Sequence, residues 1–209
     1  MPNYHFSTSD YERFYTLRPA IQRRLEDFRS VAPEDWFYEL CYCICTPQSK
    51  AEHANIVVHI LQRQDFLSTG FDPTYLLRSP LHYIRFHATK AQRLLQARQQ
   101  WSTIEPILRS SLTAEQKRDW LAYNVSGIGW KEASHFLRNI GYTNLPILDR
   151  HILKHLVRCR VFDTVPRVAS KAQYYAASEG FKRFAEYLHI PLDELDLYFW
   201  ALETGRIRK

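Results

Sequence analysis

The stretch Leu121-Ala-Tyr-Asn-Val-Ser-Gly-Ile-Gly-Trp-Lys-Glu-Ala-Ser-His-Phe-Leu-Arg-Asn-Ile140 decides the fold. Two helical segments flank Val125-Ser-Gly-Ile-Gly129. Glycines at 127 and 129 permit a tight hairpin and let a phosphate approach backbone N–H groups. The second helix starts at the hairpin, so the positive end of its dipole faces the same phosphate. Thr113-Ala-Glu-Gln116 reads as a capping box that opens the first helix, which places a helix-hairpin-helix over residues 114–140. On the second helix Ala133, Phe136, Leu137 and Ile140 recur at core-stripe spacing. Lys131, His135 and Arg138 fall on the opposite side, within about 40° of one another.

Just downstream, Leu145-Pro-Ile-Leu-Asp-Arg-His-Ile-Leu153 ends an apolar run at Asp149 and begins another amphipathic helix. Its core positions are Ile152, Leu153, Leu156 and Val157. Asp149 reads first as that helix's N-cap. His151 and His155 have the i, i+4 spacing of zinc ligands, but no Glu stands at 152 and no third ligand is evident.

Working outward, the periodicity is helical nearly throughout, with no alternating β-branched run bounded by turns. Helices are expected over 10–30, 34–45, 50–64, 73–78, 89–109, 114–123, 130–140, 150–157, 171–189 and 191–203, with Pro19 and Pro106 kinking or splitting theirs. This is an all-α chain of about ten helices. Its 209 residues suit one compact unit, and 45% hydrophobic with 24% charged residues excludes a disordered chain. No apolar run reaches the roughly 18 residues of a membrane span. The polar start, Met1-Pro-Asn-Tyr-His-Phe-Ser-Thr-Ser-Asp10, does not read as a secretory signal. Cys41, Cys43, Cys45 and Cys159 form neither a disulfide framework nor the four-cysteine run of an iron–sulfur cluster. They read as buried thiols of a reducing compartment.

The net charge of +6 makes a polyanion the default partner. Residues 73–104 contain no acid, yet carry Arg78, Arg85, Lys90, Arg93 and Arg98 with His82 and His87. Residues 101–160 hold nine Lys/Arg against five Asp/Glu, and from 161 onward the two balance at seven each. The basic middle of the chain suits a phosphate backbone.

A helix-hairpin-helix, a lysine two residues after its last glycine and an aspartate 18 residues later resemble the helix-hairpin-helix DNA glycosylase superfamily. Within it, Gly129-Trp-Lys-Glu-Ala-Ser-His-Phe-Leu-Arg-Asn139 and Ile147-Leu-Asp-Arg-His-Ile152 look like the second 8-oxoguanine glycosylase family of archaea and bacteria. The loop Cys45-Thr-Pro-Gln-Ser-Lys50 and the end Asp196-Leu-Tyr-Phe-Trp-Ala-Leu-Glu-Thr-Gly-Arg-Ile-Arg-Lys209 extend the likeness over nearly the whole chain. It implies two helical lobes with the active site in the cleft between them, and a bifunctional N-glycosylase and AP lyase. The implied partner is double-stranded DNA containing 8-oxoguanine, met by a monomer in a prokaryotic cytoplasm or nucleoid.

The resemblance assigns roles residue by residue. Lys131 is the nucleophile, and Asp149 stabilises oxocarbenium charge and assists it; a carboxylate has two oxygens, so capping and catalysis are compatible. Gly127 and Gly129 hold a phosphate, with His135 and Arg138 on the DNA side. Carbonyls of Tyr123, Val125 and Ile128 bind a structural monovalent or divalent cation, and catalysis needs no cofactor. The carboxylate of Lys209 recognises the oxidised base, and Trp200 and Phe199 stack on it, although core packing explains Phe199 as well. Gln48 fills the gap or meets the opposite cytosine, or is a plain loop residue. Three other readings remain: a glycosylase for another damaged base, a non-catalytic helix-hairpin-helix DNA binder, and an ordinary all-α interaction protein whose basicity is incidental. The binder would need neither Lys131 nor Asp149.

Overall fold

The computed structural model describes residues 3–207, and no strand occurs among them. In chain order the helices are α1 (Thr8–Arg29), α2 (Trp36–Cys45), α3 (Ala51–Arg63), α4 (Phe66–Thr69), α5 (Thr74–Arg78), α6 (His87–Gln99), α7 (Trp101–Arg109), α8 (Ala114–Asn124), α9 (Trp130–Asn139), α10 (Arg150–Arg158), α11 (Lys171–Leu188) and α12 (Leu192–Thr204). The all-α expectation holds, with three departures. The helix expected over 89–109 is two helices meeting at Gln100, and nothing in the local sequence marks that break. Pro106 sits inside α7 and Pro19 inside α1 without ending either. The short α4 is additional.

The chain forms two compact units: Met1–Ser30 with Leu137–Lys209, and Val31–Phe136. Each is built around one largely buried helix. In the second unit that helix is α2, where Phe37 through Cys45 are all buried and α3 and α6 pack against it. A helix apolar all round belongs in a core, and burial pushes the Cys45 thiol up to about 12, with the Lys90 charge pulling the other way. In the first unit the central helix is α12, packed by α1, α10 and α11. Leu195, Leu197, Tyr198 and Phe199 are fully buried there.

The buried charges of α12 are paired, as burial requires. Glu194 takes Arg18 Nε at 2.8 Å and Gln22 Nε2 at 3.0 Å. Asp196 takes Arg138 Nη1 at 3.3 Å. Buried lysines serve as helix caps in the other unit. Lys90 Nζ donates to Cys45 O at 2.7 Å beyond the end of α2, and Lys117 Nζ donates to Leu108 O at 2.9 Å near the end of α7. Both satisfy carbonyls left over at a helix C-terminus. Arg98 does the same for the carbonyls of Phe66, Leu67 and Ser68 on α4. The basic stretch of the sequence therefore divides into internal staples and surface cations such as Arg78 and Arg85.

Candidate active site

In the second unit, Thr113 opens α8 through a reciprocal capping box with Gln116, as the sequence indicates. α8 ends at Asn124, where Val125 turns extended, and Ile128 N donates to Val125 O at 3.1 Å to close the hairpin. Val125 and Ile128 anchor the turn by burial. Gly127 holds φ +83°, and a Cβ there would lie 2.4 Å from Arg93 Cδ. The glycine thus lets α6 lay a guanidinium stem directly on the hairpin. Trp130 braces the turn: its indole N–H donates to Asp119 on α8 at 3.2 Å, and its ring meets Tyr123 edge-on at 5.7 Å.

Lys131 stands in the first turn of α9. Its side chain is 32% exposed and its amine lies 2.9 Å from Glu132 Oε1. The other oxygen of Glu132 accepts the Gly129 N–H at 3.2 Å, so one carboxylate caps the helix and meets the amine. His135 lies one turn on, half-buried and edge-on to Tyr42 at 5.9 Å. The core stripe of α9 is as read, with Ala133, Phe136 and Leu137 fully buried and Ile140 nearly so.

The loop after α2 presents Gln48, exposed and in the left-handed region at φ +57°. Ser49 Oγ accepts Arg85 N at 3.0 Å, and Lys90 Nζ donates to Pro47 O at 2.6 Å and Ser49 Oγ at 3.2 Å. A second left-handed residue, Phe86 at φ +60°, stands on the stapled neighbouring loop, and its ring is 51% exposed. Arg85 reaches over that ring at 5.1 Å. Sequence reading missed Lys90, Arg85 and Phe86 as a group. The acid-free stretch marked their neighbourhood, but no residue pattern announces a strained, exposed aromatic.

In the first unit, Asp149 caps α10 with a single oxygen: Oδ1 accepts both His151 N and Ile152 N at 2.8 Å. Ile152, Leu153 and Leu156 are buried as read, while Val157 is half-buried. Trp200 is half-buried on α12, edge-on to His151 at 5.7 Å. Lys209 lies outside the described residues.

Two expectations change. Phe199 does not stack on a base: it is fully buried, with the His155 ring parallel to it at 4.8 Å and 2°. Arg138 does not face DNA: it is 4% exposed, pairs with Asp196 and Asn139, and lies 4.9 Å over the Phe28 ring. The second half of α9 is enclosed all round, so the side opposite the apolar stripe is also interior there. Burial raises Asp196 to about 7, with Arg138 pulling it down and Asp149 and Asp193 adding to the rise. Among the described residues, no group of three or more His, Cys, Asp or Glu side chains is arranged to hold a metal ion. His151 and His155 share Glu203 instead.

The model of the 8-oxoguanine DNA glycosylase family matches residues 21–190 of this chain. The chain belongs to that family. An 8-oxoguanine DNA glycosylase/AP lyase of Fusobacterium nucleatum is 34% identical over 212 residues, covering 96% of this chain and 97% of that protein. The Methanocaldococcus jannaschii 8-oxoguanine DNA glycosylase/AP lyase is 34% identical over 200 residues, covering 92% and 93%. A solved structure of the M. jannaschii glycosylase/lyase, in complex with a 15mer DNA containing 8-oxoguanine, matches with a TM-score of 0.83. It is 31% identical and covers 95% of this chain and 98% of that one. The Thermotoga maritima glycosylase matches with a TM-score of 0.82 at 28% identity, covering 95% and 96%. No helix among the described residues is long and apolar enough to cross a membrane.

Proposed function

We propose that this chain excises 8-oxoguanine from duplex DNA and cleaves the resulting abasic site, with Lys131 as nucleophile and Asp149 as its electrostatic partner. The observation that carries the reading is Lys131 itself. A partly exposed amine stands in the first turn of the helix after the hairpin, in a chain of this family.

A damaged nucleotide inside a duplex must be flipped out before its glycosidic bond is reachable. The free amine of Lys131 attacks C1′. The C1′–N9 bond breaks and the base leaves with a proton. The C1′–O4′ bond then breaks as the lysine nitrogen's lone pair forms the Schiff base, and O4′ takes up a proton to become a hydroxyl. Removal of a C2′ proton then expels the 3′ phosphate by β-elimination. Asp149 Oδ2 is not used by the cap, which leaves it available to stabilise developing oxocarbenium charge. Gly127 and Gly129 admit a phosphate at the hairpin, and Arg93 across Gly127 and partly exposed His135 add positive or donor groups.

Gln48 and Phe86, on their stapled loops, occupy the space a flipped nucleotide leaves, with Arg85 beside them. Trp200 stacks on the extruded purine, whose N7–H guanine lacks, and Lys209 takes part in reading it. Carbonyl oxygens of Tyr123, Val125 and Ile128, at the hairpin, would hold a structural cation, which takes no part in the chemistry. The protein works as a monomer in the cytoplasm or nucleoid of a prokaryotic cell; the relatives it matches are archaeal and bacterial.

Borohydride trapping tests this. The protein becomes covalently attached to duplex DNA carrying 8-oxoguanine opposite cytosine, and Lys131→Gln abolishes the adduct. Binding with no adduct in any lesion-containing duplex means a DNA binder. Trapping on other lesions alone means a different substrate.

A further inference from the structure

The chemistry above leaves unused a side-chain network that joins α10 to α12. Glu203, in the last turn of α12, gives one oxygen to each of two imidazoles of α10. His151 Nδ1 lies 2.8 Å from Oε2, and His155 Nε2 lies 2.9 Å from Oε1. His151 Nε2 accepts from Arg150 Nε at 3.0 Å, so Nδ1 is the nitrogen that donates to Glu203. Each imidazole in turn braces a ring of α12: His151 the edge of Trp200 at 5.7 Å, His155 the flat face of Phe199 at 4.8 Å. α10 is also the helix that Asp149 caps.

A lone ion pair on a partly exposed last turn contributes little. Here one carboxylate bonds His151 and lies within ion-pair distance of His155, and both imidazoles are packed against aromatic rings, which ties the last turn of α12 to α10. Burial and then the Arg158 charge push His155 below the ordinary imidazole range, against the opposing pull of Glu203. That favours a neutral ring, suited to lying flat on Phe199.

We infer that Glu203 is a positioning residue for base recognition: through His151 and His155 it fixes the Trp200 indole relative to Asp149. This rests on the reading of Trp200 as the stacking face for the flipped purine. The consequence is selective. Excision of a base needs the base stacked while its sugar faces the carboxylate, whereas a preformed abasic site has no base to stack.

The test compares single-turnover excision of 8-oxoguanine with cleavage of a preformed abasic site. Glu203→Ala lowers excision by about tenfold or more, since misplacement by an ångström is enough for such a loss. It leaves abasic-site cleavage within about twofold. Glu203→Gln keeps an acceptor for His151 and restores most of the excision rate. His151→Phe keeps a ring against Trp200 without the bond to Glu203, and serves as the second probe if Glu203→Ala folds poorly. Equal loss in both reactions, or loss in neither, overturns the inference. Trp200→Ala separates the premise: if it spares excision, the stacking reading fails. If it impairs excision selectively while the Glu203 and His151 variants do not, only the clamp fails.

Discussion

Asp149→Asn separates the cap from the chemistry. In the wild type Oδ1 alone accepts both capping N–H groups, at 2.8 Å each. Asn presents an equivalent oxygen and ranks beside Asp as an N-cap. The lost charge at the N-terminus of α10 costs about 0.3–1 kcal/mol. Against that, the repulsion that helps to raise Asp196 disappears. The two effects oppose, so the net change in stability is under about 1 kcal/mol. Asp149→Ala removes both bonds and costs about 1–2 kcal/mol. On the rate the order reverses: either variant loses the carboxylate charge facing the oxocarbenium, a loss of about 10²–10³ in excision. Urea unfolding and single-turnover excision of 8-oxoguanine measure the two quantities separately. An Asn variant with wild-type excision would refute the electrostatic role. An Asn variant as unstable as the Ala variant would refute the one-oxygen cap.

Other consequences concern the hairpin and the buried charges. Gly127→Ala places a Cβ at φ +83° against Arg93, costing about 1–2 kcal/mol for the left-handed backbone alone; unfolding and binding to an abasic-site duplex both weaken, and unchanged binding would detach the hairpin from the phosphate. Burial, opposed by the nearby Cys45 and reinforced by Arg93, lowers Lys90 to about 8. The native state then holds fewer protons than the unfolded chain from about pH 8 to 10.5, so this group's contribution to stability rises across that window and vanishes in Lys90→Met. Asp196 shows the opposite sense. Its carboxyl, raised to about 7, keeps the native state more protonated than the unfolded chain between about pH 4 and 7. Its contribution to stability therefore falls as pH rises through that range, and the difference between wild type and Asp196→Asn in urea midpoints reports it.

The sequence by itself determined most of the helices and the hairpin between α8 and α9, though not the break at Gln100 or the short α4. Gly127 and Gly129 admit only a tight link between helices, the Thr113 box sets where α8 starts, and Asp149 ends an apolar run where a cap is needed. These are local matters of backbone sterics and hydrogen-bond satisfaction, so neighbouring residues carry them. Periodicity likewise found the apolar stripe of α9, because burying one side of a helix leaves a mark in the sequence. The fate of the opposite side leaves none. Arg138 belongs to the interior because α1 and α12 close over the end of α9, and Phe199 because His155 of α10 lies on its ring. Lys90 read as one basic residue among several; only the folded chain brings the carbonyls of Cys45 and Pro47 to its amine. Gln48 and Phe86 acquire left-handed backbones from loops stapled across some forty positions of sequence. Such contacts depend on which elements pack together, and tertiary structure alone settles that.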